Sequence, residues 1–265
     1  MSVIKEEGMK NIAVITGASS GIGKEFTLDL KNRYTFDEVW VIARDREGLE
    51  KLKDEIPFPI KVIPMDLTKN ESYEEYKKIL EEEKPNVRLL INCSGYGKFD
   101  KTTNLTYQEN IGMIDLNCRG LTSLTILIIP YMTKGANIVN IASVAAFQPI
   151  PYINVYAASK AYVLSFSRGL YMELKPEGIH VMAVCPFWTK TNFFNRAVDK
   201  SKNPVIKKYT AMYEPYMIVN RTWRDLKRKK DVSKYGFVAR FQALLCKMLP
   251  HSFIMRYWMR QQKLK

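Results

Sequence analysis

Six short apolar runs recur along the chain, at Ile12 to Thr16, Val39 to Ala43, Ile60 to Ile63, Leu89 to Asn92, Ile138 to Ile141 and His180 to Cys185. Each is too short for a typical helix, rich in Val and Ile, and nearly continuous rather than alternating. That pattern belongs to strands covered on both faces. Between the runs lie longer stretches able to form crossover helices, among them Lys24 to Lys31, Arg46 to Glu55, Ser72 to Glu83 and Tyr156 to Leu174. Strand, helix and strand in this rhythm predict an α/β, doubly wound parallel sheet with helices on both faces. With 265 residues, 46% of them apolar, the chain can bury a full core, and residues 1–265 are expected to form one domain.

The last quarter is patterned differently. From Pro215 to Lys230, Ile218, Val219, Trp223 and Leu226 recur at helical spacing, and the basic run Lys227 to Lys230 falls where cations complement a helix C-terminus. Val232 to Gly236 can supply a short last strand. An extension over residues 237–265 follows, with Phe237, Phe241, Leu244, Leu245, Met248 and Leu249 as an apolar stripe before Pro250, and a second aromatic-rich turn from Phe253 to Met259. Such a tail can close a pocket, join a partner subunit or rest on an anionic membrane.

Charge sharpens this division. Residues 1–195 hold 23 basic and 23 acidic side chains, whereas residues 196–265 hold 18 basic and 4 acidic, so the entire net charge of +14 sits at the C-terminal end. The excess is either a solvated surface or a field for anionic partners. No recognised nucleic-acid module accompanies it, and no nucleic-acid partner is expected. The run Glu81, Glu82, Glu83 reads as a solvated helix face. Cys93, Cys118, Cys185 and Cys246 show no CxxC spacing, and with two histidines there is no metal set. A cytoplasmic, reducing setting fits them. No basic start followed by an apolar run opens the sequence, so no secretory signal is expected, and the apolar segment Leu121 to Met132 reads as too short and interrupted to span a bilayer.

Directly after the first strand comes Thr16-Gly17-Ala18-Ser19-Ser20-Gly21-Ile22-Gly23, with a helical pattern beginning at once. Glycines 17, 21 and 23 allow a tight turn and let a pyrophosphate approach the backbone, so Gly17, Ser19, Ser20, Gly21, Ile22 and Gly23 are candidate dinucleotide contacts. The second strand ends in Ala43 and Arg44, where an NAD site usually carries a carboxylate. A guanidinium can hold a ribose 2′-phosphate in two-pronged fashion, which favours NADP(H), although Arg44 could instead pair with Asp45 or Glu47.

After the fifth strand stands Ser143, and thirteen residues later comes Tyr156-Ala157-Ala158-Ser159-Lys160. A Tyr and a Lys four positions apart share a helix face. A free phenol has a pKa near 10; a neighbouring ammonium together with the positive charge of an oxidised nicotinamide is expected to lower it toward the working range, making Tyr156 the group that gives or takes a hydroxyl proton. Ser143 could orient the substrate oxygen, and Asn117 could link Lys160 to solvent. A YxxxK pair is also common on plain helix surfaces.

Taken together, Thr16-Gly17-x-x-x-Gly21-Ile22-Gly23, Asn92-x-x-Gly95, Asn117, Ser143 and Tyr156-x-x-x-Lys160 closely resemble the short-chain dehydrogenase/reductase family over about residues 10–195. The resemblance implies a Rossmann-like sheet of about seven strands and a catalytic tetrad at Asn117, Ser143, Tyr156 and Lys160, with Lys160 also holding the nicotinamide ribose. It further implies cofactor contacts at Asp66 and Leu67, at Asn92, Cys93, Ser94 and Gly95, and at Pro186, Thr189 and Thr191. Two departures stand out. Asn92-Cys93-Ser94-Gly95 replaces the family's Asn-Asn-Ala-Gly, and Pro186-Phe187 replaces its Pro-Gly, setting an aromatic ring beside the nicotinamide pocket.

In this family the segment at residues 187–216 forms the substrate lid. Here it carries Phe187, Trp188, Phe193, Phe194, Tyr209, Met212, Tyr213 and Tyr216, which suit a bulky apolar substrate, unless they pack on their own body. The leading expectation is an NADP(H)-dependent alcohol/ketone oxidoreductase acting on a lipophilic substrate such as a hydroxysteroid or bile acid. The tail loosely resembles those of reductases related to hydroxysteroid dehydrogenases. A 3-oxoacyl reductase is the alternative enzyme. A nucleotide-binding protein without turnover is the alternative from another class, though it need not retain the whole tetrad. Leu121 to Ile129 and the Tyr156 helix resemble the family's subunit-pairing helices, so a homodimer or homotetramer is expected.

Overall fold

Every residue from Ile12 to Ile15 is fully buried, with Ile12 and Val14 on one face of the first strand and Ala13 and Ile15 on the other. Nothing in such a strand can face water, and the chain answers by covering the sheet twice. In the computed structural model, which describes residues 9–198 and 204–264, seven strands form one parallel sheet. They are β1 Asn11–Thr16, β2 Glu38–Ala43, β3 Ile60–Pro64, β4 Asn86–Asn92, β5 Asn137–Ile141, β6 His180–Val184 and β7 Val232–Ser233, in the order β3-β2-β1-β4-β5-β6-β7. The expected strands are all present, and the last is shorter than its apolar run.

The helices are α1 Gly21–Asp29, α2 Arg46–Glu50, α3 Asn70–Glu83, α4 Tyr107–Ile114, α5 Leu121–Ile128, α6 Asn154–Leu174, α7 Phe193–Ala197, α8 Pro215–Lys227, α9 Phe237–Met248 and α10 His251–Gln262. One face of the sheet packs on Tyr73, Tyr76 and Leu80 of α3, Leu124 and Ile128 of α5, and Leu170 and Leu174 of α6. The other packs on Phe26 of α1 and on Ile218, Val219, Trp223 and Leu226 of α8, the residues whose spacing marked that helix. Trp223 also meets Phe26 edge-on at 5.1 Å, and its indole donates to Asp29 at 2.8 Å. Wide burial of this kind is the dominant favourable term in folding, at about 25 cal/mol per Å² of apolar surface.

The segment Leu121 to Met132 is not an isolated short run. It belongs to a continuous helix, Tyr107–Tyr131, that is long and apolar enough by length and composition to cross a membrane. Leu121, Leu124, Thr125 and Ile128 are nevertheless buried within the protein, so this helix is packed as a core element. A wider π-helical turn, Asp115–Gly120, interrupts it and joins α4 to α5. Strand order reverses between β1 and β4, so a cleft opens above the C-terminal ends of those two strands, where doubly wound folds bind their ligands.

Candidate active site

The chain passes from β1 into α1 through Gly17 and Gly21, whose φ angles of 66° and 56° lie in the left-handed region. A Cβ at Gly23 would stand 2.3 Å from the Gly17 carbonyl oxygen, so no other residue fits that turn. The N-cap Ser20 makes no side-chain cap, and no acidic residue occupies the first turn of α1. The leading N–H groups of α1 therefore lack a side-chain acceptor, which suits a phosphate. Thr16 accepts hydrogen bonds at its hydroxyl from the N–H groups of Cys93 and Ser94, both at 3.0 Å, and so fixes the loop after β4 beside this turn.

Arg44 extends into the same cleft from the end of β2 and has no ion-pair partner among the described residues. Asp45 is already engaged, accepting from the Gly48 N–H at 3.1 Å as the N-cap of α2. At Asp66, burial works against the charge, but hydrogen bonds from the Thr68 N–H and hydroxyl, with Arg44 and Lys69 nearby, hold the carboxyl below its ordinary value.

The reacting groups lie on α6 and on the loop after β5. Ser143 caps the turn that follows β5, accepting from the Ala145 N–H at 3.1 Å. Lys160 is buried; its ammonium donates to the Ile141 carbonyl at 2.8 Å and lies 5.8 Å from the centre of the Tyr156 ring. Tyr156 opens partly onto the cleft and is walled by Phe99 and Phe193 at 6.1 and 5.5 Å. Burial pushes its phenol up to about 12, against the pull of the Ser143 hydroxyl. Burial also presses the Lys160 ammonium down to about 8. In the protein by itself, burial is the largest influence on both groups.

One expected cofactor contact lies elsewhere. Asn92 does not line the cleft: its amide donates to Thr125 and Asn140, each at 2.9 Å, and ties β4 to α5 and β5. Asn117 is also buried behind the wall. Its amide accepts from the Tyr96 N–H at 3.0 Å and donates to the Tyr96 carbonyl at 2.9 Å and the Ser159 hydroxyl at 3.0 Å. That side chain positions the loop and helix beside Lys160. All other expected contacts, from Gly17 to Gly23, at Arg44, Asp66, Leu67, Cys93, Ser94 and Gly95, and at Pro186, Thr189 and Thr191, border one cavity of about 1580 Å³.

That cavity continues past Tyr156 into an apolar chamber. Phe187, Trp188, Phe193 and Phe194 line it, whereas Tyr209 backs Trp188 and Phe194 at 5.3 and 5.5 Å, and Tyr213 packs on Tyr235 at 5.0 Å. Met212 and Tyr216 face outward. The segment at 187–216 thus divides between lining the chamber and packing on its own body; residues 199–203 of it lie outside the described residues. The tail does close the pocket, through Val238, Gln242 and Leu245 of α9, Leu249 just after it, and Ile254 and Trp258 of α10. Sequence reasoning missed Gln148, which borders the chamber and accepts a hydrogen bond from the Cys246 thiol at 2.6 Å. Its signal was its place, five residues after Ser143 in a loop otherwise apolar.

The short chain dehydrogenase family model matches residues 11–202. This chain is a member of the short-chain dehydrogenase family. An uncharacterized oxidoreductase of Staphylococcus epidermidis is 28% identical over 188 residues, covering 70% of this chain and 79% of that protein. Hydroxysteroid dehydrogenase-like protein 1 of Gallus gallus is 35% identical over 200 residues, covering 72% of this chain and 59% of that one. Among solved structures, a short-chain dehydrogenase from Sphingobium yanoikuyae in complex with NADPH superimposes with a TM-score of 0.75 at 28% identity, covering 94% of this chain and 96% of that one. The bulky-bulky ketone specific alcohol dehydrogenase from Comamonas testosteroni gives a TM-score of 0.71 at 27% identity, covering 92% and 93% of the two chains. The family assigns the chain to the oxidoreductases that work with a nicotinamide cofactor.

Proposed function

We propose that this short-chain dehydrogenase uses NADP(H) to interconvert a secondary alcohol and a ketone on a bulky lipophilic substrate, with a hydroxysteroid or bile acid as the preferred class. The observation that carries this reading is that Ser143, Tyr156 and Lys160 share one cavity with the glycine turn on one side and an aromatic chamber on the other. The NADPH complex of the Sphingobium enzyme, the bulky ketone named for the Comamonas enzyme and the hydroxysteroid dehydrogenase-like relative all support it.

The residues suit such a cofactor. The N–H groups of the turn from Gly17 to Gly23 would hold its pyrophosphate, Arg44 a ribose 2′-phosphate, and Asp66 with Leu67 its adenine. Cys93 to Gly95 would border the adenosine ribose, Lys160 the nicotinamide ribose, and Pro186, Thr189 and Thr191 the nicotinamide end. Bound there, such a cofactor would supply or accept the hydride. Ser143 then orients the substrate oxygen by a hydrogen bond, and Tyr156 donates its phenolic proton to that oxygen as it gains charge.

We place the enzyme in the reducing cytosol, which its four free cysteines support. We further propose a homodimer or homotetramer joined through α5 and α6, where Ile126, Tyr162 and Met172 remain exposed. The test of the reaction is NADPH absorbance followed against ketosteroids, oxidised bile acids and 3-oxoacyl esters. Tyr156→Phe should lower turnover roughly 10²- to 10⁴-fold while NADPH still binds; full activity in that variant would overturn the assignment.

A further inference from the structure

The outward side of the C-terminal helices is unlike the rest of the surface. On α9, Ala239, Ala243 and Cys246 are buried against the body. The opposite side presents Phe237, Phe241, Leu244 and Met248, spaced by four, three and four residues, so that they form one exposed stripe, with Phe241 at the rim of the chamber. Phe237 is 78% and Met248 70% exposed, and Phe237 stacks on Phe241 at 5.8 Å. Phe253 and Tyr257 of α10 are exposed as well. Arg240, Lys247, Arg256, Arg260 and Lys263 are exposed on the same two helices, and none has an ion-pair partner among the described residues. From Val232 to the last residue the sequence contains no Asp or Glu.

We propose that α9 and α10 form a docking face for an anionic lipid bilayer, seating the mouth of the apolar chamber on the membrane surface. Three observations converge on this occupant. Aromatic, Leu and Met side chains beside unpaired cations, on amphipathic helices, match the chemistry of a headgroup and acyl-chain boundary. A second copy of the chain would bring like charge against like charge, which opposes pairing through this face. Phe241, Phe253 and Tyr257 are both exposed and part of the chamber wall, so the patch is continuous with the cavity. A lipophilic molecule could thus pass from bilayer to chamber without crossing water.

The two helices are anchored for such a role. The Trp258 indole donates to the Pro151 carbonyl at 3.1 Å, and the buried Gln262 amide accepts from the N–H groups of Lys207 and Lys208 at 2.8 and 3.1 Å. The face is therefore held in place by the body.

The test is co-sedimentation of the full chain with phosphatidylcholine vesicles prepared with and without phosphatidylserine. Protein should pellet with the phosphatidylserine vesicles. It should be released as salt rises from about 0.1 to about 1 M, where the Debye length falls from about 10 to about 3 Å. A triple variant, Phe237→Ser, Leu244→Ser and Met248→Ser, should bind at least about tenfold more weakly, since each change removes apolar surface from the boundary. The pair Arg240→Glu and Lys247→Glu should lose the preference for phosphatidylserine. None of these five residues lines the chamber, so both variants should keep wild-type turnover of a water-soluble ketone and their melting temperatures. Wild-type protein left in the supernatant with phosphatidylserine vesicles, or variants that pellet like wild type, would overturn the proposal. So would sedimentation velocity showing that the triple variant dissociates a wild-type oligomer, which would assign the face to a second copy. Binding is scored without turnover, so its failure leaves the reaction assignment standing, and an inactive enzyme that binds vesicles leaves this one.

Discussion

One helical turn separates Tyr156 from Lys160, and the ammonium of the second lies 5.8 Å from the ring centre of the first while donating to the Ile141 carbonyl at 2.8 Å. Both groups pay for burial in opposite directions, the phenol rising to about 12 and the ammonium falling to about 8. Below about 8 both therefore carry their protons, the state required to protonate a reduced carbonyl.

Ketone reduction should accordingly show a level kcat/KM from about pH 6 to about pH 8 and a decline above about 8 as Lys160 deprotonates. Initial rates of NADPH oxidation across buffers of constant ionic strength would check this. A rise in reduction rate above pH 8 would contradict the assigned proton states.

The same shift has a stability counterpart. An ammonium that titrates at about 8 in the folded protein, and at its ordinary 10.5 when unfolded, is bound to a proton more often in the unfolded chain between those values. Stability then rises with pH over that window, and the cost of the buried charge is complete below it. Lys160→Met should therefore gain stability relative to wild type near pH 7, with a gap on the order of 3 kcal/mol at most, and the gap should narrow by pH 10. Urea unfolding at both pH values measures it; a gap independent of pH would show that the ammonium is not desolvated.

Cofactor choice rests on Arg44. Arg44→Ala should weaken NADPH about 10- to 100-fold, the loss of a charge-assisted contact of roughly 1.5–3 kcal/mol, and leave NADH nearly unchanged. Fluorescence titration with both nucleotides would decide, and equal losses would remove the reason for preferring the phosphate.

For assembly, Ile126→Glu places a charge on an α5 position that is 59% exposed in the single chain. If α5 and α6 pair subunits, this variant should shift the oligomer toward monomer in sedimentation velocity. A wild-type protein that already sediments as a monomer would refute the oligomer itself.

Much of the fold was legible because its strands are buried on both faces: runs such as Val39 to Ile42 have no polar alternative to a covered parallel sheet. The site was legible wherever a motif residue reaches the cleft directly, as Gly17, Ser143, Tyr156 and Lys160 do. Periodicity left the direction open at α9, where the outward residues Phe237, Leu244 and Met248 are only one position from the chamber-lining Val238, Leu245 and, just past the helix, Leu249. Neighbouring positions on a helix merge into one broad apolar arc, and sequence alone does not say which half turns inward. Direction was likewise hidden at Asn92 and Asn117, because an amide that spans two elements shows its partners only after the chain has folded. The burial of Tyr156 was hidden for the same reason, because its packing comes from Phe99 and Phe193, which lie far from it in sequence.

The π-helical turn at Asp115–Gly120 carries a consequence for how this chain tolerates change. Such a turn holds one residue more than an ordinary helical winding. Deleting one residue of it other than Asn117 would let α4 and α5 fuse into an unbroken rod, a conformation no less regular than the present one. Asn117 would then swing by about a quarter turn around the axis and release Tyr96 and Ser159, loosening the surroundings of Lys160. A one-residue length change could thus silence the enzyme while the sheet and its two covering layers persisted.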